Sequence, residues 1–262
     1  MSQNNKITIP AQRVANLVLD MATYLLASGA HCGRVNRNIN RMANVWDFDV
    51  HLQLTFKGVL TTVKDRHNLT NVVTRYKEAP THSIHLNIIS EISALSWRVH
   101  DDMLSFAEVE KQYAQIKEIK PYSTLIVTFA VSLSCAGLCL FASGDYLNAL
   151  VAFAGAFLGY SARTFLAKRS FNAMIYIGVA AFVTTLITSI GAKLGIGVNP
   201  EAAIATAVLY LIPGVPLINS VIDLIEGYLT SSMNRIVFSG FTLLCIAAGM
   251  TLCITFFGID HF

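Results

Sequence analysis

The chain has 262 residues, 54% of them apolar and only 13% charged, against the roughly 25% charged of an ordinary soluble protein. Of the charged side chains, 25 fall in residues 1–120 and 10 in residues 121–262, so a purely soluble fold is excluded and the two parts are expected to face different solvents. The formal charge of +3 is small, and without a clustered basic face it excludes nucleic acid as a partner.

The opening MSQNNKITIPAQRV lacks the apolar core and small-residue cleavage site of a secretory signal, which predicts that residues 1–120 stay cytoplasmic. Val14, Leu17, Val18, Met21 and Leu25 recur at helical spacing, and Ser28 and Gly29 close that helix. A second, shorter helix is predicted over Arg34 to Asn44. The period then changes to two: Val50, Leu52, Leu54 and Phe56 alternate with polar residues, Lys57 and Gly58 turn the chain, and Val59 to Val63 returns as a hairpin partner. A third strand is predicted over Leu69 to Tyr76. After Pro80 a long helix carries Ile84, Ile88, Ile92, Leu95 and Val99 on one stripe, and Ser105 with Glu108 reads as a capping box opening a last helix. Residues 1–120 therefore read as a cytoplasmic α+β domain. It contains no phosphate loop, nucleophile elbow or zinc-protease signature.

His82 and His85 could share a helix face near His31 and Cys32, but without paired carboxylates this is a poor metal set. No metal and no cofactor are expected. The five cysteines show no CxxC pair, and four lie in apolar runs, so no disulfide is expected either.

Residues 121–262 hold five uncharged stretches: Pro121 to Gly144, Tyr146 to Ala162, Ser170 to Ala192, Ala202 to Ile222 and Ile236 to Ile259. Each is near the ~20 residues of a spanning helix, predicting a transmembrane domain of five helices in a lipid bilayer. Lys111, Lys117, Lys120, Arg163, Lys168, Arg169 and Arg235 fall on one side and Lys193 alone on the other. By the positive-inside rule the N-terminus is cytoplasmic, and the C-terminal Asp260, His261 and Phe262 are periplasmic or extracellular. Five helices cannot form two equal repeats, so a partner subunit or a homo-oligomer is expected. Gly155 and Gly159 give the second span a GxxxG face for close helix contact.

The fourth span contains LYLIPGVPLINSVIDLIEGYL, in which Pro213, Gly214 and Pro216 interrupt a spanning helix. The prolines withdraw backbone donors and Gly214 permits unusual dihedrals. Such a break is tolerated in lipid only inside protein or against a wet cavity, which makes it a site signal. The helix restarting after Pro216 presents N-terminal amides to a substrate carboxylate, with Asn219 as a hydrogen-bonding partner. Arg163 offers a compensating cation, although an interfacial arginine is the stronger reading there. Asn219, Asp223 and Glu226 share one helical face, so Asp223 and Glu226 could carry protons. The competing reading has both acids solvated at the membrane surface. Thr184, Thr185 and Thr188 could line a polar path.

With LTFKGVLTTVKD in the α+β domain and LIPGVPLINSVIDLIEG in the fourth of five spans, the chain resembles the threonine/serine exporter family over roughly residues 10–258. It is most similar to the longer subunit of the split form, which works with a short, separately encoded membrane subunit. The resemblance implies export of threonine, serine or succinate, all carboxylate-bearing, across a bacterial inner membrane. The family motif falls on Pro213, Gly214, Pro216, Asn219 and Asp223, and on Thr61, Thr62, Lys64 and Asp65 of the LTTVKD stretch. With no nucleotide-binding motif, the driving force is expected to be the proton gradient, and no enzymatic activity is expected. The alternative is a membrane-anchored sensor or scaffold whose cytoplasmic domain binds a small ligand.

Overall fold

A computed structural model of the chain describes residues 9–55, 57–68, 70–80 and 84–257. Phe56, Leu69, His82, Ile259 and the C-terminal Asp260, His261 and Phe262, all used above, lie outside them. The chain divides into two compact units, Met1–Pro121 with Val215–Ile236, and Tyr122–Gly214 with Val237–Phe262. The first unit thus joins the N-terminal residues to a later segment. Polar residues of that segment find their partners there.

The first unit opens with α1 (Ala11–Ala27) and α2 (Cys32–Val45). The apolar stripe of α1 is buried as its spacing predicts. Helix α2 begins earlier than Arg34 because the His31 ring caps it, accepting from the Arg34 N–H at 3.3 Å. Strands β1 (Phe48–Leu54), β2 (Gly58–Asp65) and β3 (Val72–Glu78) form an antiparallel meander in that order. The register aligns Val50, Val63 and Val73 in one row and Leu54, Val59 and Lys77 in another. Val50, Val63, Leu54 and Val59 are buried, placing the apolar face of the sheet in the same core as the stripes of α1 and α2.

Strand β3 starts later than expected and continues to Glu78. Asp65 Oδ1 accepts from the His67 N–H at 2.9 Å, Asn68 Oδ1 from the Thr70 N–H at 3.2 Å, and the Asn71 N–H bonds to the Asn68 carbonyl at 2.9 Å. These Asx contacts hold the chain in a turn until Asn71.

Helix α3 (Leu86–Asp101) buries Ile88, Ile92, Leu95 and Val99. Ile84 precedes the helix and is 54% exposed, so the expected stripe begins one turn later. Helix α4 (Phe106–Lys117) opens on the predicted capping box. Glu108 N donates to Ser105 Oγ at 3.4 Å and Ser105 N to Glu108 Oε2 at 3.0 Å.

The second unit contains α5 (Thr124–Phe141), α6 (Tyr146–Lys168), α7 (Ala173–Lys193) and α8 (Pro200–Ala207), followed by a 3-10 turn at Leu209–Leu211. Helix α6 passes the expected end at Ala162, since Arg163 and Lys168 are good helix formers whose apolar stems suit an interface. The Gly155 and Gly159 face is used within the chain. A Cβ at Gly155 would stand 2.8 Å from Thr188 Cγ2, and one at Gly159 would fall on Thr184 Oγ1 and 2.6 Å from the Tyr210 hydroxyl. The close helix contact expected of this face is therefore the α6 to α7 contact.

Ile212 is extended (φ −63, ψ 127), and this breaks the fourth span before α9 (Gly214–Ile225). Gly214 does not carry the unusual dihedrals expected of it. Positive φ among the described glycines is confined to Gly29, Gly195, Gly197 and Gly227. The last helix, α10 (Leu229–Phe257), starts two turns before the expected Ile236. Its first residues are tied to the first unit: Ser231 Oγ donates to the Leu54 carbonyl at 2.9 Å and Ser232 Oγ to the Ser220 carbonyl at 2.7 Å. Helices α5, α6, α7 and α10 are long and apolar enough to span a bilayer, and the broken α8 and α9 pair makes a fifth when counted as one span. Only 22% to 39% of each long helix's apolar window is buried, so most of that apolar surface is free to meet lipid.

Candidate functional site

The polar face of α9 meets the turn between α1 and α2, inside the first unit. That turn is built by Gly29, whose φ of 97 closes α1. The Ala30 N–H bonds back to the Leu25 carbonyl at 3.0 Å in a Schellman-type end. The Gly29 carbonyl accepts from Asn219 Nδ2 at 2.7 Å. One turn on, Asp223 Oδ1 accepts from the Cys32 N–H at 2.7 Å, and Oδ2 lies 3.4 Å from Cys32 Sγ and 3.0 Å from Arg235 Nε. Beyond the last residue of α9, Glu226 Oε1 accepts from Arg37 Nη1 at 2.8 Å, and Oε2 is 3.3 Å from His31 Nδ1. All three residues read from one helical face reach the same turn.

Asp223 is fully buried and Arg235 nearly so. The guanidinium also donates Nη2–H to the Ala30 carbonyl at 3.0 Å, so both ions are hydrogen-bonded as well as paired. Arg235, counted above among the positive-inside cations, is buried and paired. Burial pushes the Cys32 thiol up to about 11, so Cys32 is a neutral donor to Asp223. Gly33 leaves room for the neighbouring acid, since a Cβ there would occupy the space of the Glu226 carboxylate.

His31 has one nitrogen with two partners. Its Nδ1 caps α2 by accepting from Arg34 N–H when unprotonated, and it can donate to Glu226 only when protonated. Burial lowers the His31 pKa from its ordinary 6.5, outweighing the pull of Glu226, so the imidazolium is disfavoured; the neutral ring caps α2 as the Nε2–H tautomer and donates to Glu226 as the Nδ1–H tautomer. The Arg37 hydrogen bond holds Glu226 below its ordinary 4.5, against the opposing effect of burial.

His31, Asp223 and Glu226 offer ligand atoms all within 4.8 Å of one another, a set sequence reading missed because it paired His31 with His82 and His85. Arg235 and Arg37 already neutralise the two acids, so the charge a cation would supply is present. The missed residues are His31, Arg37 and Arg235. Asp223 carried a signal for the last, because a buried acid needs a counterion and Arg235 is a cation close by on the next helix.

The remaining predicted residues are placed separately. Pro213 sits at the break, and Gly214 and Pro216 in the first turn of α9. In the second unit, the Arg163 guanidinium lies 5.4 Å from the Tyr160 ring centre and 5.7 Å from that of Tyr176. Tyr210 hydrogen-bonds Thr184 there at 3.0 Å. Thr61 is buried under the sheet, while Thr62 faces outward and bonds Thr74 at 2.9 Å. Lys64 is half-buried opposite Asp49. Asp65 caps the β2 to β3 turn, its pKa lowered chiefly by the His67 N–H.

Four or five apolar spans, one of them broken, are consistent with a membrane transporter. The chain belongs to the threonine/serine exporter family: the ThrE family model, described as "Putative threonine/serine exporter", matches residues 16–257. It is 28% identical over 249 residues to a Klebsiella aerogenes protein named "Probable succinate transporter subunit YjjP", covering 94% of this chain and 95% of that protein. The Escherichia coli K12 protein of the same name is 27% identical over 249 residues, with the same coverage. No solved structure matches the chain.

Proposed function

We propose that the chain is one subunit of a secondary exporter that moves small carboxylate-bearing metabolites, succinate or threonine and serine, across a bacterial inner membrane. The observation that carries this reading is the break at Ile212 and Pro213 in a span of an exporter-family chain. Pro216 has no N–H to give, so the first-turn amides are those of Gly214, bonded to the Ile212 carbonyl at 2.8 Å, and of Val215, which has no intrahelical carbonyl to bond. They form a positive helix end of the kind that binds carboxylates in discontinuous transporter helices. Pro213, Gly214 and Pro216 shape that end. Asn219 bonds Gly29 through its Nδ2 and has no hydrogen bond to its amide oxygen among the described residues, and Arg163 is the candidate compensating cation.

A separate short membrane subunit supplies the spans that five helices lack, as the word "subunit" in the relatives' names suggests for those proteins. The N-terminal fold is cytoplasmic and the C-terminus lies on the opposite face, by the distribution of lysine and arginine. Transport is coupled to protons through the face of Asp223 and Glu226. Because Asp223 is committed to Arg235, the exchangeable proton sits on the His31 and Glu226 pair.

Counterflow of labelled succinate and labelled threonine in proteoliposomes, with and without the short subunit, tests the reading. Accumulation only with both subunits is expected. No movement of either substrate by a verified complex would overturn it and favour the sensor alternative.

A further inference from the structure

A groove of about 690 Å³ lies in the first unit between α1, β3 and α4, apart from the residues discussed so far. Its walls carry four cations, Arg13, Arg75, Lys77 and Lys117, against two acids, Asp20 and Glu110. Glu110 is taken by Arg13 at 2.6 Å. Asp20 is shared by Lys77 and Lys117, the latter at 2.9 Å. Arg75 bonds only a neutral group, Asn16 Oδ1, at 2.7 Å. Two positive charges therefore stand uncompensated among the described residues lining the groove, one on Arg75 and one shared by the lysines.

Their spacing is set by the backbone. Arg75 and Lys77 are two apart on one strand, which separates them by about 6.6 Å, and their partners Asn16 and Asp20 are one helical turn apart, about 6 Å along α1. Tyr113 adds a second observation. It is 2% exposed, lines the groove, and its hydroxyl has no hydrogen-bond partner among the described residues. The phenol stands beside Asp20, whose carboxylate the two lysines already share, so a ligand carboxylate between the cations offers it a further acceptor.

We infer that this groove binds a small dicarboxylate, one carboxylate on Arg75 and the other on the Lys77 and Lys117 ammoniums, with the Tyr113 hydroxyl donating to the ligand. A four-carbon dicarboxylate places its terminal oxygens roughly 6 Å apart by ordinary bond lengths, which matches the separation of the two excess charges. Inorganic phosphate puts both charges on one centre and meets only one of them. A monocarboxylate likewise leaves one uncompensated. This site is additional to the proposed transport path and is assigned independently of it.

The test is calorimetric titration of the purified full chain in detergent with succinate, acetate and inorganic phosphate. Succinate is expected to bind about tenfold or more tightly than the other two, since it alone makes both charge-assisted contacts. Arg75→Gln and Lys77→Gln should each weaken that binding about tenfold. Tyr113→Phe should weaken it several-fold while leaving the melting temperature unchanged or higher, which a merely structural tyrosine would not do. An unchanged succinate isotherm in the folded Arg75→Gln, Lys77→Gln double variant overturns the assignment, and so does phosphate binding as tightly as succinate. Groove binding that persists where counterflow fails would count against the exporter reading alone. Counterflow that survives loss of groove binding would leave that reading standing.

Discussion

Asp223 of α9 and Arg235 of α10 form a buried ion pair, Oδ2 to Nε 3.0 Å, closed on each side by backbone of the α1 to α2 turn through Cys32 N–H and the Ala30 carbonyl. Breaking such a pair from one side strands a charge, at a cost of about 3–5 kcal/mol. Asp223→Asn and Arg235→Gln should therefore each lower the thermal midpoint of the purified chain sharply. The double variant should recover much of the loss, because neither charge is then left alone. Additive losses in thermal unfolding would show that the two side chains do not act as a pair.

The contact of Glu226 with His31 and Arg37 should respond to pH. His31 has its pKa lowered from 6.5, so its contribution to stability is present above 6.5 and fades as pH falls toward its folded-state pKa. Glu226 has its pKa lowered from 4.5, so its contribution is complete above 4.5 and lost as pH falls further. The charged neighbours are Arg37, Asp223 and Arg235. Melting temperature is expected to decline in two stages, the first beginning near pH 6.5. His31→Asn, whose side chain can still cap α2, should remove the first stage and keep the second. A first stage that survives in His31→Asn would assign it to another group.

Much of this arrangement was legible in the residues, for reasons that differ by element. The stripe of α1, the alternation of β1 and the Ser105 to Glu108 capping box are local patterns, and local patterns fix local structure. The shared face of Asn219, Asp223 and Glu226 followed from helical spacing alone. What that face meets did not, because its partners Gly29, Cys32 and Arg37 lie near the other end of the chain, and no periodicity records such a pairing. The burial of Arg235 was not legible for a related reason: a lone arginine near the end of an uncharged stretch looks the same whether water or a buried carboxylate receives it. The late start of β3 was hidden in Asx turns, where side chains of Asp65 and Asn68 replace ladder bonds.

Gly159 offers a sharp test of the packing between α6 and α7. A methyl there would coincide with Thr184 Oγ1 and crowd the Tyr210 hydroxyl, whereas Gly137 faces open space. Gly159→Ala should force the helices apart or break the 3.0 Å bond between Thr184 and Tyr210, costing about 1–3 kcal/mol as overpacking does. Gly137→Ala should cost nothing measurable. Comparing the thermal midpoints of the two variants checks this, and equal values would mean the helices are not in close contact.

Thr61 belongs to the LTTVKD stretch, yet it is wholly buried and its hydroxyl lacks a partner among the described residues. An unpaired buried hydroxyl costs about 1–3 kcal/mol, so Thr61→Val, which keeps the β-branched shape, should raise stability by a similar amount. Thr62→Val instead removes the exposed bond to Thr74 at 2.9 Å and should change stability little. A Thr61→Val chain that melts lower than the parent would show that the hydroxyl is satisfied by a group such as water.

Gly214 separates the structural from the functional meaning of the break. A Cβ there meets nothing within 4 Å and its φ lies outside the left-handed region. Alanine is also the better helix former, by about 1 kcal/mol in a helix interior. Gly214→Ala should therefore fold with an unchanged or slightly raised melting temperature. If the first-turn amides of α9 receive the substrate carboxylate, the added methyl narrows the approach to them. KM in the proteoliposome assay should then rise several-fold, with the maximal rate less affected, because the methyl obstructs binding and not the movement that follows. Unchanged kinetics in a normally folded Gly214→Ala chain would move the substrate site away from the break, and the ionised face of α9 would then stand as a structural clasp alone.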